Sequence, residues 1–131
     1  MWINSNRSTI ASVTRWEIRF SELGKLLRSI ARPKDIPARY GGEELALILP
    51  ETPRAIGANI AEALRLAVTK KPIVCGKLQV PVTVCVGVAT LEPKSRMTDP
   101  SHLLKASDLA VYAAKSAGRN CVKIFSLAAA A

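Results

Sequence analysis

Apolar residues recur every three or four positions in three stretches of the chain, which is the pattern of an amphipathic helix. In the first stretch Ser21 is available as an N-cap, and Pro33 stops the helix. The second helix begins at Thr52-Pro53, and Gly118 supplies the C′ residue that ends the third. The predicted helices span residues 21–32, 53–71 and 101–117, and the second has an apolar face made of Ile56, Ile60, Ala63, Leu64 and Val68.

Short runs of apolar and β-branched residues between these helices predict six strands. Gly41-Gly42 separates the first two strands and Gly76-Lys77 the next two, so each pair is expected to form a tight hairpin. The run at residues 82–90 is typical of a strand covered on both faces, and Gly87 within it indicates a bulge or close backbone packing. The predicted strands span residues 37–40, 45–49, 73–75, 78–80, 82–90 and 120–125.

The order of these elements fits an α/β (α+β) sandwich with a mixed central sheet flanked by helices. A length of 131 residues, 49% of them hydrophobic, suits one domain. Residues 1–20 show neither a helical nor a strand period, and the alanine-rich end is expected to fray. No apolar run approaches the roughly 20 residues of a membrane helix, and the first residues lack the features of a signal peptide, so we expect a cytoplasmic protein.

Charge and cysteine content narrow the possible functions. The formal net charge is +9, but only Lys70-Lys71 are adjacent basic residues and no basic stripe alternates with aromatic residues, so we expect no nucleic-acid partner. Cys75, Cys85 and Cys121 are far apart and form no C-x-x-C pair. We therefore expect plain thiols rather than a zinc site or a disulfide framework.

The first predicted hairpin carries the main candidate chemistry. Gly41 and Gly42 let the backbone adopt a positive φ and leave no Cβ atom in the way of a ligand. Glu43 and Glu44 follow directly, and adjacent carboxylates at such a tip suit a hard cation and a phosphate. The hairpin therefore indicates a metal and phosphate site.

Four segments of the chain stand in a characteristic order and spacing: RPKD at residues 32–35, RYGGEEL at 39–45, TVCVGVA at 83–89 and SDLAVYAAKSAGRN at 107–120. Together they resemble the GGDEF domain of bacterial diguanylate cyclases in its GGEEF form, over about residues 23–125. That family joins two GTP molecules into cyclic di-GMP and pyrophosphate. The resemblance thus implies GTP, cyclic di-GMP and a second copy of the domain as partners.

The resemblance also implies roles for the hairpin residues. Gly41 and Gly42 would let the nucleotide lie against the backbone, Glu43 would bind Mg²⁺ or Mn²⁺, and Glu44 would support Glu43 in catalysis. The metal would neutralise developing phosphate charge and lower the pKa of the attacking hydroxyl.

Two further pairs match the family pattern. Lys115 and Arg119 match its basic pair on the triphosphate, and their i, i+4 spacing would place both on one helix face. Arg32 and Asp35 match its inhibitory R-x-x-D site for cyclic di-GMP. Without the resemblance, the first pair could equally interact with a helix dipole, and the second could be helix caps or solvated charges.

The first half of the family pattern is absent from the chain. It should contain D-x-D-x-F-K, then N-D, G-H and G-D, which supply a second metal carboxylate, a lysine for the phosphates and the groups that recognise guanine. We therefore expect a domain that lacks its first strand and helix and makes little or no cyclic di-GMP. A cyclic di-GMP-binding module that uses Arg32 and Asp35, or a non-functional gene fragment, is the alternative.

The genetic code suggests an origin for this gap. Back-translating residues 1–22 and shifting the frame by two nucleotides permits VDQFKSINDRFGHQVGDSVLR, which contains the missing motifs in order. We accordingly expect residues 1–22 to be an out-of-frame leader that is non-native or disordered. Residues 23–126 would form a partial GGDEF domain, and 127–131 a disordered tail.

Overall fold

The computed structural model describes residues 8–15, 20–39, 44–75, 77–91 and 100–125. Within these ranges the chain forms seven strands and three helices. In chain order they are β1 (Ser8–Arg15), α1 (Phe20–Ile30), β2 (Ile36–Arg39), β3 (Glu44–Pro50), α2 (Arg54–Lys70), β4 (Ile73–Cys75), β5 (Leu78–Val80), β6 (Val84–Leu91), α3 (Pro100–Ser116) and β7 (Cys121–Ile124).

Five strands form one mixed sheet in the order β2-β3-β1-β6-β7, and β4 and β5 form a separate hairpin. The pairs β2–β3, β3–β1 and β1–β6 are antiparallel, whereas β6 and β7 are parallel. Pro37 lies on β2, which is an edge strand with β3 as its one neighbour. Proline has no backbone N–H to donate, and an edge strand tolerates this because one of its sides has no strand to bond. The predicted α/β fold with a mixed sheet is confirmed.

Helices cover both faces of the sheet. Val86 and Val88 of β6 belong to a core cluster shared with α1 and α2, in which Leu27 and Leu64 are each 1% exposed. Ala89, also in β6, belongs to a second cluster together with residues of α3. Because successive strand residues point to opposite faces, α3 lies on the face away from α1 and α2. No helix of the described ranges is both long and apolar enough to span a bilayer.

Strand β1 corrects the expectation that residues 1–22 lack regular structure. It lies at the centre of the sheet, where Ala11, 1% exposed, is the register partner of both Leu47 and Val88. Half of its residues are β-branched, and it contacts both α2 and α3. A strand covered on both faces need not alternate apolar and polar residues, so β1 shows no two-residue period in the sequence. The out-of-frame origin of the segment stays a prediction, and residues 126–131 lie outside the described ranges.

The start of α1 and the buried face of α2 differ slightly from the prediction. Helix α1 begins at Phe20, so Ser21 lies inside it rather than capping it. The buried residues of α2 are Gly57, Ala61, Leu64 and Val68, while Ile56 is 45% exposed and Ala63 is also exposed. The small residues Gly57 and Ala61 allow this face of the helix to approach the sheet, which moves the buried stripe away from Ile56 and Ala63.

Candidate functional site

Four residues predicted to bind metal and phosphate, Gly41, Gly42, Glu43 and Glu44, lie between β2 and β3 or at the start of β3 in the sequence. Gly41, Gly42 and Glu43 lie outside the described residues. Glu44 is the first residue of β3 and is half-buried. Its register partner on β1 is Thr14.

Glu44 lies in a row of residues that crosses the sheet. Thr14 is the register partner of Glu44 on one side and of Cys85 on the other, and Cys85 in turn pairs with Cys121. With about 4.8 Å between neighbouring strands, the row spans about 14 Å. This row marks one end of the sheet, and Glu44 is the predicted site residue that lies in it.

The donors available for a metal ion in this region are few. Among the residues of the five sheet strands, Glu44 is the only aspartate or glutamate, and the adjacent β1 has the sequence STIASVTR. No group of three or more His, Cys, Asp or Glu side chains within the described ranges is arranged to hold a metal ion. Mg²⁺ is usually bound through carboxylates together with substrate phosphates, so the described donors do not fit a tightly held ion.

Lys115 and Arg119 lie near the same end of the sheet. Arg119 and Asn120 directly precede Cys121, the last residue of the row, and the Gly118 amide donates to Lys115 O. Burial raises the pKa of Cys85, with a smaller opposing effect from these two cations and from the backbone of Asn120. The structure thus brings Glu44, Lys115 and Arg119 to one end of the sheet.

Arg119 does not share a helix face with Lys115, which corrects the prediction. Helix α3 ends at Ser116, and Gly118 follows with φ +107°. The Arg119 amide donates to Ala114 O at 3.0 Å, and the Gly118 amide donates to Lys115 O at 3.4 Å. These two bonds form a Schellman motif, in which Gly118 is the predicted C′ residue and Arg119 lies beyond the helix.

Arg32 and Asp35 lie between α1 and β2 and form a hydrogen-bonded ion pair. Asp35 Oδ2 accepts from the Arg32 backbone amide at 2.8 Å and from Nε at 3.0 Å, and Oδ1 accepts from Nη2 at 3.0 Å. The Asp35 side chain is fully buried, whereas 35% of the Arg32 side chain is exposed. The hydrogen bonds to Asp35 raise the pKa of Arg32, against the opposing effect of burial. The pair therefore presents a fixed guanidinium to solvent.

Thr52 completes this arrangement, and only its position before α2 distinguishes it in the sequence. Its Oγ1 accepts a hydrogen bond from Arg32 Nη2 and donates one to Pro50 O at 2.9 Å. Thr52 is completely buried. Because Ile36 pairs with Ile48 and Arg39 with Leu45, the Arg32–Asp35 pair lies at the opposite end of the hairpin from Glu44. The two groups of candidate residues are therefore separate sites.

Besides Thr52, sequence reasoning missed Arg65 of α2, which supports the turn after α3. Arg65 of α2 bonds Glu62 through Nε, at 3.1 Å to Oε1 and 3.0 Å to Oε2, and through Nη2. Its Nη1 donates to Asn120 Oδ1 at 2.9 Å. The i, i+3 charge pair is visible in the sequence, but the contact with Asn120, 55 residues away, is not.

The sequence of the chain is similar to that of known proteins. The family model described as diguanylate cyclase, GGDEF domain, matches residues 17–121. The response regulator PleD of Caulobacter vibrioides is 39% identical over 103 residues, which cover 77% of this chain and 22% of that protein. Diguanylate cyclase DgcM of Escherichia coli is 40% identical over 100 residues, covering 76% of this chain and 23% of DgcM.

Solved structures share the fold. The active GGEEF domain of a diguanylate cyclase from Vibrio cholerae superimposes with a TM-score of 0.83 at 23% identity, covering 92% of this chain and 84% of that one. The GGDEF domain of DgcB from Caulobacter crescentus, solved in complex with c-di-GMP, gives 0.74 at 24% identity and covers 90% of this chain and 77% of that one. The chain belongs to the GGDEF domain family of diguanylate cyclases. It spans less than a quarter of the length of the two curated relatives, at 22% and 23%.

Proposed function

We propose that this chain is a GGDEF domain that binds the triphosphate of GTP but converts GTP to cyclic di-GMP poorly or not at all. The observation that carries the proposal is the composition of β1. This strand lies directly beside Glu44 and offers no carboxylate in any of its eight positions. The second acidic group that the family reaction requires is therefore missing from the neighbouring strand.

Basic residues at the same end of the sheet would still bind the phosphates of a nucleotide. Lys115 in the last turn of α3 and Arg119 beyond it would hold the triphosphate of GTP, since ammonium and guanidinium groups both bind phosphate oxygens well. In the family reaction the 3′-hydroxyl of each GTP attacks the α-phosphate of the other, so an active form would need two copies of the domain. Phosphate binding by Lys115 and Arg119 requires neither a second copy nor a bound metal.

An assay of the purified chain with GTP and Mg²⁺ tests the loss of activity. We expect at most trace cyclic di-GMP by liquid chromatography, and the trace should not change in Glu43→Gln. A GGDEF-family cyclase serves as the positive control under the same conditions. Rapid cyclic di-GMP formation that depends on Glu43 contradicts the proposal.

A second candidate function is that of a cyclic di-GMP receptor. The observation that favours it is the Arg32 guanidinium, which is held by Asp35 and Thr52 while 35% of its side chain is exposed. A cation fixed in this way can bind a phosphate or a guanine edge with little loss of side-chain entropy. The solved complex of the DgcB GGDEF domain with c-di-GMP supports the choice of ligand.

Calorimetry with cyclic di-GMP tests the receptor function. Arg32→Ala should weaken binding by about 1.5 to 3 kcal/mol, the value of one charge-assisted contact. Lys34→Ala is the matched control, because Lys34 is a neighbouring exposed cation whose contact with Glu51 is 3.7 Å long. Equal affinity of wild type and Arg32→Ala would exclude this site.

A further inference from the structure

The turn that joins α3 to β7 has an unusual backbone. Gly118, Arg119 and Asn120 follow one another with φ values of +107°, +64° and +45°. Only glycine adopts this region freely, asparagine tolerates it, and a residue such as arginine is found there uncommonly. Strained backbone of this kind persists only where surrounding contacts hold it.

Two of the three residues are held by the end of α3 itself. The amides of Gly118 and Arg119 donate to Lys115 O and Ala114 O, as described above. The side chain of Asn120 is held from a different helix, because its Oδ1 accepts the bond from Arg65 Nη1 of α2. The turn is thus fastened at both ends, once by α3 and once by α2.

Arg65 is itself firmly placed. Glu62 accepts from its Nε and Nη2, and only 18% of the Arg65 side chain is exposed. The hydrogen bond between them raises the pKa of Arg65 and lowers the pKa of Glu62, so both are charged at neutral pH. With Nε, Nη1 and Nη2 all engaged, Arg65 is poorly suited to contact a ligand directly.

We propose that Arg65 is a positioning residue for Arg119, acting through Asn120. The bond to Asn120 holds the left-handed turn and thereby directs Arg119 toward the end of the sheet occupied by Lys115 and Glu44. The inference rests on the proposed function in that the ligand of Arg119 is the triphosphate of GTP. It adds a residue of α2 to a site otherwise built from β3, α3 and the turn after α3.

Binding of inorganic tripolyphosphate and of GTP, measured by calorimetry, tests the positioning role. Arg65→Met removes the donor to Asn120. Asn120→Gly removes the acceptor but accommodates the left-handed backbone without strain. If the bond positions Arg119, each substitution weakens binding about tenfold, and the double variant binds no more weakly than the weaker single variant.

Lys70→Met is the matched control, because it removes one positive charge from the same helix without touching the turn. It should bind both ligands with nearly wild-type affinity, and a loss equal to that of Arg65→Met overturns the proposal by showing a general charge effect. Wild-type affinity in Asn120→Gly also overturns it, since the backbone conformation alone would then suffice. Thermal unfolding of each variant confirms that binding is measured on folded protein.

Amide hydrogen exchange separates this inference from the proposed function. If the wild type binds neither ligand, the proposed function fails. The exchange rates of the Arg119 and Asn120 amides then test whether Arg65 holds the turn. These amides should exchange at least about fivefold faster in Arg65→Met than in wild type or Lys70→Met, because opening of the turn becomes easier. Unchanged exchange shows that Arg65 does not hold the turn and overturns the inference.

Discussion

Gly87 of β6 lies so close to α3 that a Cβ atom at this position would come within 2.4 Å of the Val111 backbone nitrogen. The same atom would lie 2.4 Å from the Ser107 carbonyl oxygen. Both contacts involve backbone, which cannot move aside as the end of a flexible side chain can. The absence of a side chain at Gly87 therefore sets the distance between the sheet and α3.

We predict that Gly87→Ala destabilises the domain by about 1 to 3 kcal/mol or more, because α3 must move away from β6 to make room for the methyl group. Urea unfolding of the two proteins measures the difference. Gly24→Ala is the control: no atom lies within 4 Å of its built Cβ position, and it lies inside α1. Replacing a half-buried helical glycine whose added methyl group meets no neighbouring atom should stabilise by about 0.5 to 1 kcal/mol. An unchanged midpoint for Gly87→Ala would contradict the predicted contact.

Thr52→Val should loosen Arg32 while preserving side-chain volume. The substitution leaves Nη2 with one acceptor fewer and Pro50 O without the Thr52 hydroxyl, so we expect a loss of about 1 to 2 kcal/mol in the free energy of unfolding. Cyclic di-GMP affinity should fall by less than in Arg32→Ala. Thr52→Ser keeps the hydroxyl and should retain most of the affinity and stability. Equal behaviour of the valine and serine variants would remove the hydroxyl from the explanation.

The pair of Glu62 and Arg65 predicts a pH dependence of stability. The hydrogen bond from Arg65 lowers the pKa of Glu62 below its ordinary value of 4.5. A carboxyl whose pKa is lower in the folded state stabilises the fold above its unfolded pKa, and this contribution disappears as the pH falls through the folded pKa. As the pH is lowered from 5, the free energy of unfolding of Glu62→Gln should therefore fall less than that of the wild type. Parallel curves of unfolding free energy against pH would argue against the pair.

The two cysteines of β6 and β7 should differ in reactivity. Cys85 is 4% exposed and burial raises its pKa, whereas Cys121 is half-buried and donates to Ala114 O at 3.4 Å. Because the thiolate is the reactive form, iodoacetamide should label Cys121 faster in the folded protein. Peptide mass spectrometry over time provides the measurement, and urea-unfolded protein, in which both thiols should react alike, provides the control. Faster labelling of Cys85 would disagree with its burial.

The sequence predicted most elements because each carries its own local signal. The helices have a clear period, Gly118 ends α3 as expected, and Gly87 was correctly associated with close backbone packing. Strand β1 carries no such period, since its environment is set by two strands and two helices that are distant in sequence. Local patterns cannot report such an environment.

Contacts between candidate site residues are visible in the sequence only where the partners are close along the chain. Arg32 and Asp35 are three residues apart, so their pairing is local and their motif is visible. Thr52 and Arg65 act through partners 20 and 55 residues away, and no sequence spacing indicates such contacts. The i, i+4 spacing of Lys115 and Arg119 was misleading because the left-handed Gly118 intervenes.

The central place of β1 also bears on how the chain folds during synthesis. During synthesis β1 can pair with β3 once residues 44–50 have been made, but its other partner, β6, comes only with residues 84–91. The sheet cannot close until most of the chain is present, and contacts so distant in sequence form slowly. Until then one side of β1 has unpaired backbone groups, so the nascent domain is at its most vulnerable to aggregation in the interval before β6 emerges.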